Sequence, residues 1–415
     1  MGSQAGTVRA ALVGGPMYDP LYESIPAFEA ATGLHVEIVT RLPHPELNAY
    51  VKHAFESGDA GIDLLSTHTK YAPSQVQWLS PVDAEIAAGT VEDLLARPAE
   101  LSRISGRLLQ VPRNLDVRLL HVRRDLFEST VEQRGFEQRF GRPLRVPDTW
   151  VDLVDVADFF TRDGLHGFLF PGRDSGLFGT FYEMLIGAGG DLFDASLRPT
   201  FDSREGEWAA GLLAELHHVR RVTPRELPAW HYDEISAAFR EGRAAMVCDW
   251  PGSYHLYKDP ATCRVADVVA LAPLPAGPAG IPAAYAGCHS FAIPATARNR
   301  EGAAELLRHF TSFDAQLGEA RRGSIPCRNS ALAQVRAEAS ASQDEARRWQ
   351  LLGDAEQTMI IPPRFAAYPK CEDTIWRSVQ RAMTGEWQPA EAVRRAADEI
   401  RPIVASEGAH AVVES

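Results

Sequence analysis

The opening stretch of the chain alternates strand and helix patterns in an order that few folds accept. Residues 7–13 are a short, β-rich apolar run that ends at Gly14-Gly15. Leu21, Ile25, Phe28 and Ala31 then recur at helical spacing, and Thr32-Gly33 supplies a stop. Pro26 interrupts that pattern and predicts a kink or a late helix start. Residues 35–40 read as a second strand, 46–55 as a second helix, and 62–65 as a third, buried strand. A β-α-β-α-β order requires a largely parallel sheet with helices on both faces.

A second α/β region begins near Leu119. Residues 150–160 form a helix that Asp148 or Thr149 can cap. A further helix at 233–239 turns at Glu241-Gly242-Arg243 into a strand at 244–248. Apolar stripes at Ala303, Leu306, Leu307 and Phe310, and at Val393, Ala396, Ile400 and Ile403, mark two later helices. With 415 residues the chain suits two or three domains.

Charge and cysteine usage exclude several functions. The balance of 42 basic and 55 acidic residues leaves a net charge of −13, which repels a phosphate backbone, so no nucleic-acid partner is expected. The most apolar stretch, residues 268–287, carries Pro273, Pro275, Pro278 and Pro282, so no membrane span is expected. Met1-Gly2-Ser3 begins no signal peptide. Two readings follow: a cytoplasmic protein, or, the one favoured, an exported protein whose signal segment has been removed. No cysteine or histidine spacing suggests a metal site. Cys248 and Cys263 could form a disulfide in an oxidising compartment, or could be small buried thiols. No G-x-S-x-G, H-E-x-x-H or EF-hand signature appears, and the Gly187, Gly189, Gly190 turn lacks a phosphate-binding signature.

Eight segments then follow one another in a recognisable order from Tyr22 to Leu332. They are YESIPAFEAATGLHVEI, GIDLLSTHTKYAPSQVQWLSPVD, GRLLQVPRNLDVRLLHVRRDLFE, PDTWVDLVDVA, GAGGDLFD, FREGRAAMVCDWPGSY, AGCHSFAIPATARNREGAAELLRHFTS and GSIPCRNSAL. In this order they resemble the family 1 extracellular solute-binding proteins, the ligand-capturing subunits of ABC importers that include maltose-binding proteins. Two positions depart from the family pattern: Arg113 replaces a usual tyrosine, and Cys288-His289 replaces a common aromatic. Both positions often lie near the ligand in relatives.

The resemblance implies a type II periplasmic-binding-protein-like α/β fold, each lobe a mostly parallel sheet flanked by helices, with the ligand between the lobes. It places residues 5–116 plus 270–312 in one lobe and 117–269 plus 313–415 in the other, with crossings near 114–119, 267–271 and 311–316. It also implies an extracytoplasmic monomer, periplasmic or lipid-anchored, that has no cofactor, catalyses nothing, and hands a mono- or short oligosaccharide to the permease subunits of an importer. Hinge closure would bury the ligand.

Sugar recognition needs aromatic faces for pyranose C–H groups and planar polar groups for hydroxyls. Trp250 follows the strand at 244–248, and in relatives a tryptophan there stacks on sugar; Trp78, Trp150, Trp208 and Trp376 sit in helical patterns and are expected to be structural. Asn114, Asp116 and Arg118 lie in the first crossing, where Asp116 and Arg118 either face the ligand or form an internal ion pair. Tyr18 and Asp19 follow the first strand, with Asp19 also suited to cap a helix. Thr67 and His68 follow the third strand, and His289 stands close to Gly287. Arg173 and Asp174 lie on a turn that relatives place at the cleft mouth, and Arg364 and Tyr368 fall where the chain returns to the cleft. Each of these positions also has a purely structural reading. One alternative is a receptor for a phosphorylated or acidic ligand, on which Arg113, Arg118, Arg173 and Arg364 could converge. A glycoside-acting enzyme of unrelated α/β fold is the other.

Overall fold

The computed structural model describes residues 6–58 and 61–407. Met1-Gly2-Ser3 and the expected lobe limits at residues 5 and 415 lie outside the described residues. The larger sheet runs in the order Ile325–Pro326, Val111–Val117, Ala284–Pro294, Leu64–His68, Thr7–Val13, His35–Leu42. Two short strands, Leu79–Ser80 and Met359–Ile360, add to Ala284–Pro294. The smaller sheet runs Val269–Ala272, Leu119–Arg123, Ala244–Asp249, His166–Leu169.

The alternation at the start of the chain produces the expected parallel pairs, Thr7–Val13 with His35–Leu42 and with Leu64–His68. The sheets as wholes are mixed, which corrects the expectation of mostly parallel lobes. Ala284–Pro294 enters from the other lobe and runs antiparallel to both Leu64–His68 and Val111–Val117. Leu119–Arg123 runs antiparallel to both of its neighbours in the smaller sheet. A strand that arrives through a crossing need not keep the direction that βαβ units impose.

Side chains on Thr7–Val13 point alternately to the two faces of the sheet. Val8, Ala10 and Leu12 join one core with Phe28, Phe291, Leu306 and Phe310, whereas Ala11 and Val13 join another with Leu47, Val51 and Leu65. The smaller lobe has its own core around Trp150, Phe160, Phe168 and Phe239. Local signals set the helix ends. Helix Trp150–Phe160 starts at Thr149, whose Oγ1 accepts the Asp152 N–H at 3.1 Å. Pro26 resolves as a late start: the chain breaks at Ser24 and resumes as Ile25–Thr32 with proline in the first turn, where its missing N–H costs nothing. Gly33 closes that helix at φ 72°.

Val117 and Leu119 belong to different sheets, so the first crossing is a single residue, Arg118. The second crossing is displaced from the expected 267–271. Val269–Ala272 pairs with Leu119–Arg123 in the smaller sheet, and the chain changes lobes at residues 273–283. Four prolines in that segment supply no N–H to a ladder, which suits a connection and not a strand. After helix Arg300–Phe310 the chain does not pass wholly to the second lobe, because Ile325–Pro326 still pairs with Val111–Val117. All five cysteines are free and buried, so Cys248 and Cys263 form no disulfide; Cys248 lies instead in the field of Arg118 and Glu183. No described helix is long and apolar enough to cross a membrane. Among the described residues no group of ligating side chains could hold a metal ion.

An inter-lobe cleft as the candidate functional site

Strand ends converge where the two lobes meet. Tyr18 follows Thr7–Val13, His44 follows His35–Leu42, and His68 ends Leu64–His68. The antiparallel partner completes the group, because register sets His289 opposite His68 on one side and Asn114 on the other. Gly287 makes room for this arrangement: a Cβ there would lie 2.2 Å from His68 Cε1. His289 is the hub. Its Nε2 lies 3.0 Å from Asp116 Oδ2 and 3.2 Å from the Tyr18 hydroxyl, and its Nδ1 lies 2.7 Å from His44 Nε2. Asn114 donates to Asp116 Oδ1 at 2.7 Å, and His68 Nδ1 accepts the Lys70 N–H at 3.2 Å.

Burial keeps this floor uncharged. It pushes Asp116 up to about 8, against the opposing pull of Arg113 and the Asn114 hydrogen bond. It pushes His289 down to about 3, helped by Arg113 and Lys70, and His231 down to about 3, helped by Arg173. His44 and His68 fall in the same direction for the same first cause. At neutral pH the cluster therefore presents neutral donors and acceptors.

The cationic side chains nearby are occupied. Arg118 is 0% exposed and donates to both Glu183 oxygens, to Gly176 O and the Tyr232 hydroxyl at 3.1 Å, and to Thr180 at 2.9 Å. Of the two readings for Asp116 and Arg118, the internal pair is not made between them, because Arg118 pairs with Glu183 instead. Arg113 pairs with Glu319 at 2.9 Å. Lys70 pairs with Glu372 at 2.7 Å, and that carboxylate also accepts from Tyr71 and Tyr368 at 2.9 Å each. Arg173 pairs with Asp174 at 2.6 Å and stands 3.6 Å from Glu46 of the opposite lobe. Arg364 is buried and donates to Thr69 O at 3.2 Å.

Open space in the cleft falls into two compartments. An inner one of about 50 Å³ is bordered by Tyr18 and His44 of one lobe and by His231, Tyr232, Asp233 and Trp250 of the other. Trp250 is half-buried, its ring 5.4 Å from Tyr232 and 5.9 Å from Tyr285. An outer compartment of about 660 Å³ is bordered by Asn48, Tyr71, Gln75 and Trp78 of one lobe and by Asp174 and Trp376 of the other. A separate concavity of about 450 Å³, around Arg145, Lys258 and Arg347, lies away from the cleft on the smaller lobe.

Of the residues singled out from sequence, Tyr18 and Trp250 border the inner compartment and Asp174 the outer one. Asn114, Asp116, His68, Gly287 and His289 form the layer beneath. Thr67 is buried and donates to Gln75 Oε1 at 2.7 Å, and Tyr368 is buried against Glu372. Asp19 turns outward to an exposed pair with Arg41, and it is the first residue of helix Asp19–Glu23, with Tyr18 in the cap position. Sequence reasoning missed His44, His231, Tyr232 and Asp233, and assigned Trp78 and Trp376 to packing. His44 had a usable signal, since it follows the second strand as Tyr18 follows the first.

The comparisons agree with this geometry. Residues 14–317 match the sequence profile of a family described as bacterial extracellular solute-binding protein. A probable amino-acid ABC transporter periplasmic-binding protein of Sinorhizobium fredii is 24% identical over 333 residues, 78% of this chain and 73% of that one. The mannitol-binding protein of Pseudomonas aeruginosa is 25% identical over 244 residues, 57% of this chain and 52% of that one. Maltose-bound MalE3 of T. maritima superposes with a TM-score of 0.84 at 26% identity, covering 96% of this chain and 99% of that one. An Agrobacterium vitis solute-binding protein with bound D-mannitol superposes at 0.79 with 20% identity, covering 97% and 99%. Two lobes, a cleft floored by strand ends, and a profile match over most of the chain lead to one assignment: the chain belongs to the bacterial extracellular solute-binding proteins.

Proposed function

We propose that the protein is the receptor of a bacterial ABC importer, that it captures a neutral carbohydrate or polyol between its lobes, and that it releases the ligand unaltered to the permease. The observation that carries this reading is that four cations at the cleft are paired with carboxylates of the protein itself. Arg113, Arg118, Arg173 and Lys70 are each already neutralised by a protein carboxylate, and the histidine cluster is uncharged. A phosphorylated or acidic ligand that drew on Lys70, Arg113 or Arg118 would leave a buried carboxylate without its cation. A neutral polyhydroxy compound needs only the donors, acceptors and aromatic faces at hand. The maltose and mannitol bound by the superposed proteins fit this class. Working outside the cytoplasm as a monomer belongs to the same reading.

Calorimetric titration tests it, with neutral sugars and polyols set against sugar phosphates and amino acids. Neutral members should bind one per chain and be recovered unchanged. Binding restricted to the phosphates or amino acids, or conversion of a sugar in proportion to protein concentration, overturns the proposal. Trp250→Ala should weaken the best ligand about tenfold, since Tyr232 and Tyr285 already cover part of the indole and only a fraction of its area, about 1.5 kcal/mol, remains for the ligand. An affinity within about twofold of wild type would remove Trp250 from the site.

A further inference from the structure

Away from the cleft, helix Gln343–Glu356 turns a mixed face toward the concavity of the smaller lobe. Asp344, Arg347, Arg348 and Leu351 recur at helical spacing and all border that one space of about 450 Å³. The smaller sheet brings Val122 and Leu271 to it, and the chain beyond brings Phe127, Leu144 and Val146. Tyr254 and Lys258, one turn apart on helix Tyr254–Lys258, complete the polar part of the lining. The volume lies inside the range of about 300–1,000 Å³ typical of small-molecule sites and equals about fifteen waters at about 30 Å³ each.

Charge separates this concavity from the cleft. Five cations border it against the three carboxylates of Glu128, Asp267 and Asp344, in a chain whose net charge is −13. Arg145, Lys258 and Arg347 are exposed and make no ion pair or side-chain hydrogen bond among the described residues. Water satisfies an exposed cation, so these three alone would mark nothing. Arg348 is different. It is 4% exposed, yet its Nε–H has no partner among the described residues. Its carboxylate, Glu345 at 3.3 Å, is itself 36% exposed and also accepts from the Tyr254 hydroxyl. Burial pulls Arg348 down against the pull of Glu345, and the Arg348 charge in turn adds to the burial that pushes His121 down to about 3. A buried guanidinium with so little compensation favours an anion brought beside it.

An inorganic ion would leave the apolar lining in contact with water, and a neutral apolar molecule would leave the cations unmatched. We propose that this concavity is a second binding site, for a small organic anion with a carboxylate or phosphate head on an apolar body. The head sits among Lys258, Arg347 and Arg348, and the body lies against Phe127, Leu144, Val146 and Leu351. Such a compound differs in class from the neutral ligand of the cleft, and its site stands whether or not that reading does.

Calorimetric titration of the full chain with phenyl phosphate and phenylbutyrate tests the site. Inorganic phosphate serves as the head alone and phenylbutanol as a body without charge. At least one of the two organic anions should bind one per chain, about tenfold or more tighter than either control. Lys258→Ala combined with Arg347→Ala should weaken it about tenfold or more, whereas Trp250→Ala in the cleft should leave it within about twofold. Both cations are exposed, so the double variant should melt like the wild type; should it melt low, Arg347→Ala alone decides. Failure of both anions to bind, binding no tighter than the controls, or an affinity unchanged by the cation substitutions overturns the proposal. So does loss of binding in Trp250→Ala, which would move the anion to the cleft. Binding confined to phosphatidylglycerol vesicles overturns it too, because the surface would then be a membrane contact.

Discussion

Replacing Asp116 with asparagine should change how folding stability depends on pH, and the sign follows from burial. The native carboxyl is 2% exposed and is pushed up to about 8. In the unfolded chain it titrates near 3.9. Between those values the unfolded state has released a proton that the native state keeps, so the wild type loses stability as pH rises. Below about pH 4 both states are protonated and the contribution vanishes; above about pH 8 the loss levels off. The slope inside the window is about 1.4 kcal/mol per pH unit, or about 2.7 kcal/mol between about pH 5.5 and about pH 7.5. Asparagine keeps the shape and, like the protonated acid, carries no charge beside His289 Nε2. Urea denaturation of both proteins at the two pH values is the assay, read as wild type minus variant. Titrating groups whose values do not depend on Asp116 cancel in that difference, among them His289, whose depressed value, set by burial with Arg113 and Lys70, favours folding more as pH rises toward about 6.5. The gap should move against the wild type by about 2.7 kcal/mol. A gap that stays constant would mean that Asp116 is ionised in the native protein, and the argument for an uncharged cleft floor would fail with it.

Two further substitutions probe the same region. Gly287→Ala places a methyl 2.2 Å from His68 Cε1 and should cost about 1–3 kcal/mol, seen as a lowered melting temperature without ligand; an unchanged melt would show that the His68 ring moves aside freely. Lys70→Met leaves the Glu372 carboxylate buried with only tyrosine hydroxyls and should cost about 3 kcal/mol in chemical denaturation, while Lys70→Met with Glu372→Gln should regain more than half. A double variant no more stable than the single one would show that the lost packing of the lysine stem, and not the stranded charge, sets the cost.

Legibility from sequence followed the range of the interactions. Periodicity and capping are local, so Thr7–Val13, Trp150–Phe160 with its Thr149 cap, and Arg300–Phe310 were readable residue by residue. The segment order carried the two-lobed assignment, and the rule that strand ends face the cleft placed Tyr18 and Trp250 beside open space and His68 in the layer beneath it. Pairing between distant segments was not readable. Arg118 finds Glu183 and Lys70 finds Glu372 across 65 and 302 residues of chain, and no local pattern in the sequence announces either partner. Trp78 packs on Phe55, as its helical surroundings suggest, but helix Ala72–Gln75 ends before it, and no local pattern shows that the ring also borders the outer compartment. The second crossing was misplaced because an apolar run resembles a connection until its strand partner is known, and the prolines that follow it were the better signal.

Those distant pairings also determine how the lobes can move. Glu183 accepts from Arg118 in the first crossing and from the Tyr285 N–H, at 2.8 Å, where the second crossing rejoins the larger sheet. The Arg118 N–H in turn donates to Tyr285 O at 3.1 Å. One buried carboxylate thus ties two crossings together, and separating them would strand a charge at 0% exposure. At the mouth the cross-lobe contact is different in kind: Glu46 and Arg173 approach to 3.6 Å with side chains 43% and 32% exposed. A pair so open to solvent is worth about 1 kcal/mol at most. The lobes are also joined by the buried Lys70–Glu372 pair, with Tyr71 donating to the same carboxylate, so strong contacts cross between the lobes on this side as well, and the Glu46–Arg173 contact at the mouth is the weak one beside them.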